Sequence, residues 1–167
     1  MKPILFFSLF FLLLQIPGQA FAQTEPGEAD SYSIGLISGP LLPSKIPGVT
    51  EVLQLVGVRA GMTTHLGKFE SEAWVANGSG VSYQSILINY RMEVFNQFLP
   101  VHALIGAHID SYSTNDSSIT STGGGGWQVG GGSEAKILGP VFLRGDFEYR
   151  SGPGKSLLVL VALMLQF

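Results

Sequence analysis

Cysteine is absent from the 167 residues, so neither a disulfide framework nor a thiolate zinc site is open to this chain. Charge is scarce. Asp, Glu, Lys and Arg make 13% of the sequence, about half the share of an ordinary soluble domain, whereas a small water-facing surface asks for about 25–35%. The basic residues form no stripe and the net charge is −3, which argues against a nucleic-acid partner. Long apolar runs are missing after residue 22. The greasiest segment there, Lys155 to Phe167, falls short of the roughly 20 residues of a spanning helix but exceeds the about 9–11 of a spanning strand. No stretch beyond residue 22 keeps a helical period.

The first 22 residues read as a cleaved secretory signal. Lys2 supplies positive charge, Ile4 to Leu14 an apolar core, and Ala20-Phe21-Ala22 a small-x-small cleavage site. Residues 23–30, with Glu25, Glu28 and Asp30, then form a short acidic leader, and 31–167 a single domain. Export without cysteine leaves packing, or a membrane, to supply stability.

What the chain does have is alternation. In 141–150, Val141, Leu143, Gly145, Phe147 and Tyr149 share one parity, and Arg144, Asp146, Glu148 and Arg150 share the other. The following Ser-Gly-Pro-Gly is a turn signal, and Leu157, Val159, Val161, Leu163, Leu165 and Phe167 again share one parity, so the two segments predict a hairpin with one face in an apolar medium. Similar segments precede it, and eight strands are expected over 32–39, 50–60, 64–76, 80–92, 99–110, 127–137, 141–150 and 156–167. Connections 40–49 and 111–126 are long and rich in Pro, Ser, Thr, Gly and Asn, while those of the alternate set are short. An even strand count with long loops at one end suits an all-β, antiparallel, up-and-down transmembrane barrel.

Parity alone leaves the facing open, because a soluble carrier barrel would put its charges outside. The low charge content favours the opposite arrangement, with an apolar exterior. The charged faces carry both signs in near balance, as a narrow lumen needs, since unpaired buried charge is expensive. Arg59, Glu70, Glu72, Arg91, Glu134, Lys136, Arg144, Asp146, Glu148 and Arg150 are the candidates for such a lumen network. Tyr32, Tyr90 and Phe167 fall at one rim of the apolar face and Trp127 and Tyr149 at the other, as interfacial aromatic belts do.

A cleaved signal, eight alternating strands and a last strand ending in Phe167 resemble the small bacterial outer-membrane β-barrels of the OmpA transmembrane-domain and OmpX kind. The wording is nearest in Trp127-Gln128-Val129-Gly130-Gly131-Gly132-Ser133-Glu134 and the run Val141 to Arg150, which look like that family's penultimate hairpin. The resemblance implies that Phe167, Leu165 and Leu163 form the signal read by the barrel-assembly machinery. It also implies a monomer among outer-membrane lipid and lipopolysaccharide, without cofactor or metal. Loops 40–49 and 111–126 are then the candidates for a surface partner.

Other constellations are weaker. Gly152-Pro153-Gly154-Lys155-Ser156 imitates the end of a phosphate-binding loop but lacks its first glycine and its helix. Glycines 130–132 are more simply room for bulky neighbours. His102, His108 and Asp110 share a face, yet the histidines lie roughly 20 Å apart along a strand, too far for one metal. A lipid-directed hydrolase would need a serine beside a histidine oriented by a carboxylate, and no such set falls on an outward face; His65 is at a turn. The expected protein is therefore a non-enzymatic envelope barrel.

Overall fold

The computed structural model describes residues 31–46, 49–64, 67–78, 80–95, 100–114, 122–152 and 154–167. The expected signal and leader lie outside them. Eight strands follow in chain order: β1 (Ser31–Pro43), β2 (Leu53–Thr64), β3 (Gly67–Gly78), β4 (Val81–Phe95), β5 (Val101–Thr114), β6 (Thr122–Leu138), β7 (Val141–Ser151) and β8 (Ser156–Gln166). Each pairs antiparallel with the next, and β1 closes on β8 from Ser33↔Gln166 to Pro43↔Ser156. The result is a closed eight-stranded barrel in which no strand edge is left open. The end holding Ser31 and Phe167 is called lower here, and the opposite end upper.

Strand boundaries differ from expectation mainly at the upper end. β1 runs through Pro40 to Pro43, and the β1–β8 register skips Gly39 and Pro40, so the residue without an N–H sits where the ladder is open. β5 continues through Ser111 to Thr114, and Gly123 and Gly125 pair with Ser111 and Ile109. The expected loop 111–126 thus shrinks to 115–121, outside the described residues. Glycine carries no strand signal of its own; its pairing is dictated by β5. At the lower end, Gly139-Pro140 turns β6 into β7, with Gly139 at φ 53°, the positive φ that a two-residue hairpin loop asks of its first central position.

Facing follows from the pleat. Tyr32, Ile34, Leu36, Val56, Val58, Ile86, Ile88, Ile105, Ile109, Phe147, Val161, Leu163 and Leu165 are exposed on the outer wall, while Arg59, Glu70, Glu72, Arg91, Arg144, Asp146, Glu148 and Arg150 are buried within. Two pairs of aromatics mark the rims: Phe69 with Tyr90 near the lower end, ring centres 5.3 Å apart, and Trp127 with Tyr149 near the upper, 5.8 Å. Tyr32 lies beside Phe167, joined by reciprocal backbone hydrogen bonds of 2.9 Å.

The interior is not filled by charge alone. Leu41, Leu53, Leu55, Trp74, Tyr83, Tyr112, Leu158, Leu160, Ala162 and Met164 form a buried apolar cluster on the β1, β8, β2 and β3 side and toward the upper mouth. The charged network expected in the lumen shares the interior with this apolar compartment. β8 is apolar at both parities, so its inward side chains build a hydrophobic compartment. Ile46 and Val49, between β1 and β2, are buried in the same cluster and complete it.

Candidate functional site: the sealed lumen

Every arginine of the chain is buried inside the barrel. β2 brings in Arg59, β4 Arg91 and β7 both Arg144 and Arg150, each flanked by uncharged residues of the other parity. Guanidinium suits the task, since its planar fork grips two carboxylates at once and keeps its charge when desolvated.

At mid-height Asp146 is the hub. It receives Arg59 Nη1 at 2.6 Å, Arg144 Nε at 2.9 Å and His102 Nε2 at 2.7 Å. Arg59 also binds Glu72 at 2.7 Å and approaches Glu148 at 3.6 Å. Neutral amides complete the layer: Asn89 donates to Glu72 at 3.2 Å, and Gln128 donates to Asn89 at 2.6 Å and to Glu148 at 3.3 Å. Below it, Arg144 binds Glu70, and Arg91 forks onto Glu134 with contacts of 2.6 and 2.8 Å. Lys68 reaches Glu93 at 3.0 Å and Glu134 at 3.8 Å. Above it, Asp110 accepts hydrogen bonds from Tyr83, from Ser85 at 2.7 Å and from Arg150 at 2.9 Å, with His108 Nδ1 at 3.0 Å. The Arg150 guanidinium lies 4.8 Å over the Trp74 ring, which stacks on Tyr83, which stacks on Tyr112.

Several of these ties cross the lumen rather than follow the wall. β2 and β7 are not neighbours, yet Arg59 joins them. Room for the long side chains comes from β6, where a Cβ on Gly132 would come within 2.3 Å of Asp146 Oδ1 and one on Gly126 within 2.6 Å of His108 Nε2. The glycine run is therefore a mould for the residues it faces.

Of the ten residues expected in this network, nine lie in or against it: Arg59, Glu70, Glu72, Arg91, Glu134, Arg144, Asp146, Glu148 and Arg150. Lys136 does not. It is exposed at the lower rim, 5.9 Å from the Phe142 ring centre, because the barrel ends there and water solvates the ammonium at little cost. Asn89, Gln128, Ser85 and Tyr83 were missed; their signal was inward parity beside charged neighbours. Leu163, Leu165 and Phe167 are exposed on the outer wall.

Among the described residues, His102 and His108 form no nucleophile relay. Ser85 and His108 both meet Asp110, so the serine is held by the carboxylate and not by the imidazole. His102 is committed to Asp146, and His65 lies outside the described residues. Among the described residues no cluster of three or more acids and histidines is arranged to hold a metal.

Solved structures that share this architecture include small outer-membrane barrels. Over 83% of this chain and 97% of its own, Neisserial surface protein A superposes with a TM-score of 0.60 at 14% identity. The N-terminal β-barrel domain of Pseudomonas aeruginosa OprF gives 0.61 at 12% identity, over 82% and 97%. The fold is that of the small outer-membrane barrels. Ail, the attachment invasion locus protein of Yersinia pestis, solved with the heparin analogue sucrose octasulfate, shares this outer-membrane barrel fold at 0.52 and 13%, over 83% and 97%. No protein-family model and no curated protein matches the chain.

Proposed function

We propose that this chain is a non-catalytic barrel of the Gram-negative outer membrane, closed to bulk diffusion, that serves envelope integrity or surface contact through its upper loops. One observation carries the reading: on the eight strands every described side chain of outward parity is uncharged, the exposed charges Glu93 and Lys136 having inward parity at the lower rim, while the arginines and the carboxylates of the Asp146 layer are sealed inside. A soluble carrier needs the inverse arrangement, with an apolar cavity and a charged coat. In hydrocarbon, closure of the ladder removes the open strand edge that lipid could not satisfy. Two seals in series support closure: the ion-paired layer around Asp146 and the apolar cap of Ile46 and Val49.

Surface contact draws support from the neighbours named a surface protein and an attachment protein. Residues 40–43, 46 and 49 are less available for it than the sequence suggests, being strand or buried plug, so the upper end of β5 and β6 carries that role. The test is fractionation of a producing Gram-negative cell, followed by electrophoresis of unheated and boiled samples. Recovery in the outer-membrane fraction with heat-modifiable migration is expected. Recovery in the soluble fraction would overturn the reading.

A further inference from the structure

The arginines and lysines of this barrel divide by position. The four arginines are buried, and the described lysines lie toward the ends: Lys68 and Lys136 below, Lys45 and Lys155 above. The upper two are held together. Ser44 and Lys45 both donate their backbone N–H to the Lys155 carbonyl, at 2.8 and 3.1 Å. The frame beneath them is pinned as well, because Ile46 is buried against Gly154, where an added Cβ would come within 2.6 Å of Ile46 Cγ1. Both lysines are exposed, as is Glu51 on the same connection.

Lys155 also has the parity of the outer wall. Gly154 and Ser156 on either side are buried, and Lys155 stands one step above the column Leu157, Val159, Val161, Leu163, Leu165 and Phe167. On β1, Leu42 pairs with Leu157 and is exposed beside it. At about 3.3 Å per residue and a tilt of about 35–45°, Lys155 stands roughly 30 Å above Phe167, close to the roughly 30 Å of a hydrocarbon core. With Phe167 at one interface, Lys155 stands at the headgroup level of the other, and Lys45 is held beside it by its backbone hydrogen bond.

The geometry points to a binding site for a lipid phosphomonoester headgroup at Lys45 and Lys155, its acyl chains lying on the Leu42 and Leu157 face. Two cations on one braced frame match a dianion better than the single charge of a phosphodiester, and the strip below them matches its tails. The site rests on the outer-membrane reading and goes beyond it by naming the lipid chemistry and the residues that read it.

The test uses the full chain folded in detergent and titrated with phosphatidic acid, phosphatidylglycerol or phosphatidylcholine of identical chains, counting retained lipid by native mass spectrometry. The parent is expected to prefer phosphatidic acid. Affinity should fall roughly fivefold for each lysine neutralised in Lys45→Gln and Lys155→Gln, stay unchanged in Lys136→Gln at the opposite end, and persist in Lys45→Arg/Lys155→Arg, which keeps both charges should the glutamine variants fold poorly. A parent with no preference, or an equal loss in Lys136→Gln, overturns the site. Displacement of the lipid by millimolar inorganic phosphate also overturns it, since the headgroup alone would then suffice. A parent that stays out of phosphatidylcholine vesicles sinks the membrane reading and this site together, whereas one that inserts without preference sinks the site alone.

Discussion

Arg59 on β2 and Asp146 on β7 meet at 2.6 Å through the lumen, 87 residues apart in sequence and on strands that are not neighbours in the sheet. Both side chains are fully buried. The pair therefore ties opposite parts of the wall together, and removing one partner strands the other. Arg59→Ala leaves Glu72, Asp146 and Glu148 facing a low-dielectric interior and is expected to cost roughly 3–5 kcal/mol. Urea unfolding of the barrel in lipid vesicles, followed by Trp74 and Trp127 fluorescence, measures it. Lys136→Ala, at an exposed rim position, should stay within about 0.5 kcal/mol of the parent.

The inner face of β6 makes a second prediction. A Cβ on Gly132 would come within 2.1 Å of the Gly145 carbonyl oxygen and 2.3 Å of Asp146 Oδ1. Neither can give way freely, since one is ladder backbone and the other holds Arg59, Arg144 and His102. Gly132→Ala is expected to destabilise by about 1–3 kcal/mol, as overpacking does. The same vesicle titration reads it, and a neutral result would mean that the lumen network is looser than its distances imply.

β7 shows how much of this was legible beforehand. Its strict alternation of Arg144, Asp146, Glu148 and Arg150 with Leu143, Phe147 and Tyr149 announces both strand and facing. β8 is the counter-case: Leu158, Leu160 and Met164 are as greasy as Leu157, Leu163 and Leu165, so parity could not reveal an apolar interior compartment. The Trp74–Tyr83–Tyr112 stack depends on three strands meeting in one register, which no single segment encodes. Ile46 and Val49 looked like loop residues because they sit among Pro, Ser, Gly and Thr; only the position of the mouth they cover makes them core. Partner choice inside the network, such as Arg91 forking onto Glu134 two strands away while Glu70 on the neighbouring strand stays at 3.4 Å, is likewise a product of register.

The two seals make a prediction about conductance. Ile46→Ala removes apolar volume from the cap and should cost about 2–5 kcal/mol if the site cannot collapse. It should nevertheless leave planar bilayers non-conducting, because the Asp146 layer still closes the tube. Arg59→Ala alone should likewise leave the cap in place. Only the double variant is expected to show resolved single-channel steps. Conductance from Ile46→Ala alone would show that the charged layer does not block ions.

The outer wall gives the decisive contrast. Val161 is 53% exposed, with Gly145 and Ser38 as its cross-strand partners, and lies near the middle of the β8 column between Lys155 and Phe167. Nothing nearby could pair a new charge, because the outward neighbours are apolar or small. Val161→Arg is therefore expected to cost roughly 2–4 kcal/mol in a bilayer, the price of a cation at mid-depth. The same substitution in water would be nearly neutral, since an exposed strand position tolerates charge. Measuring the variant in vesicles and the parent alongside separates the two solvents: an unchanged vesicle stability would mean that this face does not meet hydrocarbon, while a loss of the expected size places Val161 inside it.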